Sequence, residues 1–228
     1  MDKIDVIGQI EEELTWRLEE LNFLKNQLSV INKEDDKLRY RKSLVVMLYS
    51  CYEGFCKSAF QIYIKMINSQ ALLRSEVNLH IRTSSLHEMF LEYGNESKKD
   101  ERFKRSLPED NKLHKYSRQI TFVEEFNNFL TEQVYISDSI VDTESNLKPA
   151  VLKKILYRLG FPFEEIDISE ATINKLLNYR NSIAHGSQKI GIKEIDYESL
   201  ESDVKKLMNN VRVIIINAIQ DDLFLEII

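Results

Sequence analysis

The chain has 228 residues, 43% of them hydrophobic and 30% charged, with a net charge of −6. That is enough apolar material for one domain with a real core, and it excludes an intrinsically disordered chain. The acidic balance argues against a general high-affinity DNA-binding protein while leaving room for a local basic site.

Six Gly and three Pro leave long stretches that favour helices. Residues 1–5 contain neither a basic leader region nor an apolar one. No run approaches the ~18 apolar residues of a membrane span. Cys51 and Cys56 lie in an apolar helical run with no disulfide or metal spacing and read as buried structural thiols. Together these features predict a cytoplasmic protein with no membrane attachment and no metal or other cofactor.

The first predicted element places Ile7, Ile10, Leu14, Leu21, Leu24, Leu28 and Ile31 at spacings of three and four, with Arg17 in the one polar slot. A polar turn at residues 32–36 follows. The second helix, about 38–67, is apolar on both sides, which predicts a central position in the domain. Glu53 and Lys57 sit among its apolar residues at i,i+4 spacing and are expected to pair. Glu53 is either half of a structural ion pair or the group that orients a catalytic residue.

From 68 to 118 the pattern weakens. Between 98 and 118 eight Lys or Arg face four acids, a local charge of +4. The segment of about 95–118 reads as a solvated insertion. Its functional reading is an RNA-contacting arm, with His114, Tyr116 and Arg118 able to stack on bases. Phe122, Phe126 and Phe129 suggest a short amphipathic helix. Another is expected over 146–159, closed by Gly160 and Pro162. Asp167 with Glu170 looks like the cap of a helix that runs to about His185. The last helix, from about Tyr197, carries a seam of Tyr197, Leu200, Val204, Leu207, Val211, Ile214 and Ala218 that needs a partner helix. The architecture expected is an all-α bundle, one domain over 1–228, with a polar and basic insertion.

On the helix ending at His185, the predicted buried set is Ile173, Leu176, Leu177, Ile183 and Ala184, with Arg180 beside it. A half-buried arginine calls for an anion. Arg180 and His185 are five residues apart, about 140° around a helix, so one helix does not bring them together. A second copy of the chain would complete the constellation. The plainer reading is a helix end, in which His185 bonds a terminal carbonyl and Arg180 pairs with a surface acid.

The motif Arg180-Asn181-Ser182-Ile183-Ala184-His185-Gly186 resembles the Arg-x4-6-His signature of HEPN (higher eukaryotes and prokaryotes nucleotide-binding) domains. Tyr52-Glu53-Gly54-Phe55-Cys56-Lys57 is similar to the aromatic-Glu-Gly-Phe-x-Lys motif of the MAE-type branch. Asn146-Leu147, Val151-Leu152 and Leu159-Gly160-Phe161 are similar to that branch's segment before the Arg-His helix. The three motifs span about 40–190 in the family's order, and the basic insertion lies outside them. The resemblance implies a HEPN-like helical bundle, often a homodimer with facing Arg-His helices and a composite active site. It also implies a metal-independent endoribonuclease, frequently in a toxin-antitoxin or anti-phage defence setting with an antitoxin or other partner. By motif, Arg180 and His185 are then the catalytic pair, Asn181 assists, and Glu53 and Lys57 support.

The residue chemistry agrees with that expectation. RNA supplies its own 2′-OH nucleophile; His185 can move a proton near neutral pH and Arg180 can stabilise charge on the phosphate. The expected product carries a 2′,3′-cyclic phosphate. Two alternatives stand: a HEPN module that binds nucleotides or RNA without cutting, and an assembly module in which the Arg-His pair is a cap. No carboxylate pair with ligand spacing lies near the motif to suggest a metal-dependent nuclease. No Gly-rich phosphate loop suggests a small-molecule enzyme.

Overall fold

The computed structural model describes residues 2–164, 166 and 169–226, except for the side chain of Asn127. Among these residues it is all-α, with eight α-helices and no strand. The helices are α1 (Lys3–Asn26), α2 (Glu34–Ser69), α3 (Leu79–Ser85), α4 (His87–Gly94), α5 (Asn111–Phe129), α6 (Pro149–Arg158), α7 (Glu170–Ala184) and α8 (Glu194–Gln220). None of them is long and apolar enough to cross a membrane.

Helix α2 packs against α1, α7 and α8, which is the central place its two-sided hydrophobicity predicts. It begins earlier than expected. Glu34, Asp35 and Asp36 fall in its first turn, where carboxylates favour the positive end of the helix dipole. The α8 seam finds its partners in α2 and α1. Tyr197, Leu200, Val204, Leu207, Val211 and Ala218 are all buried. On α1 the buried apolar positions are Val6, Ile10, Leu14 and Leu21, while Ile7 and Leu24, and Leu28 just past its end, pack at the margin. Cys51 and Cys56 are free and buried. Burial raises the Cys51 thiol to about 11 and pushes Cys56 up further.

Arg17, the polar slot of α1, is buried. Its guanidinium donates to the Glu13 carboxylate and to Ser58 Oγ at 3.2 Å, and it lies over the Trp16 ring at 4.3 Å. This explains a glycine in mid-helix. A Cβ on Gly54 would sit 3.3 Å from Arg17 Nε and 3.4 Å from Nη2.

The helix before the Arg-His segment closes as expected: Leu159 caps α6 and Gly160 takes φ +77°. The expected cap at Asp167 lies outside the described residues; α7 starts at Glu170 behind Ser169.

In the 95–118 region, α4 and α5 pack as a hairpin. The three phenylalanines belong to the long helix α5. Phe122 contacts Tyr93, Phe126 and Phe129 with ring centroids 6.0, 5.9 and 5.4 Å away. Two of the three side chains expected to stack on bases are instead committed within the hairpin. His114 is fully buried, accepting at Nδ1 from Asp100 N (3.0 Å) and facing Leu107 O through Nε2 (3.1 Å). Arg118 donates to the carbonyls of Tyr93 and Lys98. Both side chains hold the hairpin together, and only Tyr116 stands exposed.

Candidate active site

Helix α7 turns Ile173, Leu176 and Leu177 into the core, with Ile183 at its edge. Ala184, expected inside, is exposed. The helix ends because Gly186 adopts φ +72°, a conformation that costs every residue with a Cβ. The exposed ends of the last turn are then capped by backbone alone. Gly186 N donates to Ile183 O at 3.0 Å and Ser187 N to Ser182 O at 2.8 Å, the paired bonds of a Schellman ending. Gln188 N adds a further bond to Ser182 O at 3.0 Å.

This removes the cap reading of His185. The terminal carbonyls are taken by N–H groups, and the exposed imidazole makes no hydrogen bond or ion pair among the described residues. The loop that carries it onward is fastened to α2. Lys42 Nζ donates to Gln188 O at 2.5 Å and to Lys189 O at 3.2 Å. Ile192 N donates to Leu38 O at 2.9 Å. Gly191 lies so close to Leu38 that an added Cβ would meet its backbone at 2.7 Å.

Arg180 is half-buried between α7 and α2. Its guanidinium carbon lies 5.0 Å from the centroid of the Tyr49 ring, within cation–π range. Nη1 donates to Asn181 Oδ1 at 2.9 Å and to Asn146 Oδ1 at 3.3 Å. The expected acid partner is absent: among the described residues no carboxylate pairs with Arg180, and its Nε and Nη2 make no hydrogen bond. The cation is seated by neutral oxygens and a ring, so its charge is not cancelled by protein.

Asn181 links both halves of the motif. Its side chain holds Arg180, and its backbone carbonyl accepts from His185 N at 2.9 Å.

Tyr49 is the centre of the seat. Its phenol oxygen accepts from Leu147 N at 3.1 Å. Burial, chiefly, raises the phenol to about 12; the Leu147 N–H opposes the rise, the Glu53 carboxylate one turn along α2 adds to it, and Arg180 opposes it. The expected Glu53–Lys57 pair does not form. Glu53 is half-buried and acts on the Tyr49 phenol one turn back along α2, while Lys57 is exposed on the outer face of a helix whose other faces stay buried on either side of it. Arg180, Asn181 and, through Tyr49, Glu53 are therefore gathered at one place. His185 lies past the end of α7 and Lys57 stands apart.

Tyr49 and Asn146 are the members that sequence reasoning missed as site residues. The signal for Tyr49 was its position four residues before Glu53. That for Asn146 was its place in the motif preceding the Arg-His helix. Among the described residues, no group of three or more His, Cys, Asp or Glu side chains stands together as a metal site.

A family model described as RiboL-PSP-HEPN matches residues 12–217. No match was found among curated proteins or solved structures.

Proposed function

Given that the chain belongs to the RiboL-PSP-HEPN family of HEPN domains, we propose that it is a metal-independent endoribonuclease with Arg180 and His185 as its catalytic pair. The family match does not single out the MAE-type branch. One observation carries the reading: both chemistry-bearing groups of the motif are uncommitted. Arg180 is held in place without an acid, and His185 sits at a rigid helix end that does not use its imidazole.

In the proposed reaction, His185 takes the proton of the RNA 2′-OH as O2′ attacks phosphorus. Arg180 Nε and Nη2 donate to the phosphorane oxygens as their charge grows. The P–O5′ bond breaks, a proton passes to O5′, and the products are a 2′,3′-cyclic phosphate and a 5′-hydroxyl. Asn181 and Asn146 fix the guanidinium. Glu53 acts through Tyr49 as a positioning residue, and Lys57 is an exposed cation available to the RNA backbone.

Within one chain the His185 imidazole makes no bond to the groups that hold the Arg180 guanidinium, which favours a homodimer in which facing α7 helices bring the Arg180 of one copy to the His185 of the other. A role as a toxin or anti-phage effector, restrained by a partner protein in the cytoplasm, fits such an activity.

The test is cleavage of labelled tRNA and mRNA in EDTA by wild type, Arg180→Ala and His185→Ala, each checked for folding by circular dichroism. Cleavage with cyclic-phosphate ends, lost in both variants, is expected. A folded, dimeric wild type that binds RNA and leaves it intact would replace this reading with a non-catalytic HEPN module.

A further inference from the structure

A second cluster of basic groups lies away from Arg180, in a cavity of about 420 Å³ where α3, α4 and α6 meet. The volume is in the range of small-molecule sites. The chain has four histidines, and two of them, His80 and His87, line this cavity together with Arg158. In a chain of net charge −6, no carboxylate lines it. The adjacent acid, Glu88, instead accepts from Ser139 Oγ at 3.1 Å.

These three basic side chains are nearly uncommitted. Arg158 makes one long bond, Nη1 to Ile140 O at 3.4 Å, and no ion pair. Neither imidazole makes a hydrogen bond among the described residues; His80 is set edge-on to Tyr157, ring centroids 4.9 Å apart. The cavity itself is firmly built. Ser84, which is buried, donates to Arg158 O at 2.7 Å and ties α3 to the end of α6. Gly160 then turns the chain away with its Cα against His80 Cβ and Asn78; an added Cβ would stand 3.2 Å from His80 Cβ.

The rest of the lining is mostly apolar, with the hydroxyl residues Thr83 and Ser84 among it, and part of it is exposed. Phe90 is 43% exposed and Tyr157 57% exposed, surface that a bound molecule would cover. Clustered donors without an acid call for an anion, and a planar guanidinium suits phosphate. The apolar rings call for a flat body attached to it.

We propose that this cavity binds a small phosphomonoester with a flat body, its phosphate held by Arg158, His80 and His87 and its body lying on Phe90 and Tyr157. The site is separate from the Arg180 seat and does not depend on whether the protein cleaves RNA.

The test is isothermal titration calorimetry of the full chain with AMP as probe, and with adenosine and inorganic phosphate as its two halves. AMP is expected to bind, with either half weaker by about tenfold or more. Arg158→Gln should weaken AMP by a similar factor, and Phe90→Ala should weaken AMP more than phosphate. His87→Gln removes no internal hydrogen bond and keeps the test valid should Arg158→Gln fail to fold. Arg180→Ala should bind AMP as wild type does. The proposal is overturned by no AMP binding, by equal affinity for AMP and either half, or by AMP binding that Arg180→Ala abolishes and His87→Gln leaves intact.

Discussion

A single phenol joins the two halves of the candidate site. Tyr49 accepts the Leu147 N–H with its oxygen and carries Arg180 on its face. Tyr49→Phe keeps the ring under Arg180 but strands a buried N–H, a loss of ~1–3 kcal/mol. Urea denaturation should show that loss, and RNA cleavage should fall modestly because Glu53 loses the phenol it acts through. Tyr49→Ala removes the ring as well and should lower cleavage far more than its extra destabilisation explains. The phenol also predicts alkaline behaviour. Its proton is held up to about 12, against about 10 in an unfolded chain. Between these values the folded state binds more protons, so stability is fully present below pH 10 and falls as pH rises towards 12. Cys51, raised to about 11, begins the same fall near pH 9. Denaturant midpoints should therefore hold to about pH 9 and decline from there to pH 11; the buried Cys56 thiol, also pushed up, begins its fall at the same pH, so Cys51→Ala should reduce the initial slope without removing it. At this scale the motif pair itself was legible, because Arg180 and His185 are defined by spacing. The partner of Glu53 was not. Lys57 and Tyr49 are both one turn away, and only the packing of α7 against α2 decides which side of Glu53 is buried.

The segment from Ser182 to Ile192 acts as one element, a helix end bolted to the start of α2. Two glycines do different work in it. Gly186 has nothing within 4 Å of its missing Cβ, so Gly186→Ala costs only the left-handed backbone, ~1–2 kcal/mol. Gly191 abuts the Leu38 backbone, so Gly191→Ala must push the loop off α2 and should cost ~2–3 kcal/mol. Thermal melts should rank them in that order. Lys42→Ala removes the Lys42 bonds to Gln188 and Lys189. Because it leaves Arg180 seated, it is expected to lower kcat for cleavage with RNA affinity nearly unchanged. The helices α2, α7 and α8 were readable from their three-and-four spacing, since each buries one or both faces against the core. The hairpin of α4 and α5 was not. Its aromatic residues pack mainly on one another, so the polar outer face hides the helix until Phe122. The buried His114 looked like a surface group because its neighbours in sequence are lysines.

At the scale of the whole molecule, the geometry of α7 makes the second copy the decisive question. One chain holds Arg180 inward against Tyr49 and carries His185 exposed at the helix end, and in the proposed homodimer each copy would offer one group to the other. The bundle that permits this was legible as an all-α domain, but the direction of each side chain depends on how α7 sits against α2, and no local pattern encodes that. The proposed composite site predicts complementation between two dead enzymes. Arg180→Ala and His185→Ala each lack one group at both sites of a homodimer. In a mixed dimer, one site inherits both defects and the other has an intact arginine from one copy facing an intact histidine from the other. Random reassociation of equal amounts makes about half the dimers mixed, and about a quarter of wild-type cleavage should return. The measurement is EDTA-resistant RNA cleavage after co-refolding, with dimers verified by light scattering. If each chain instead used its own Arg180 with its own His185, every site in the mixture would carry a defect, and the mixture would stay as inactive as its components.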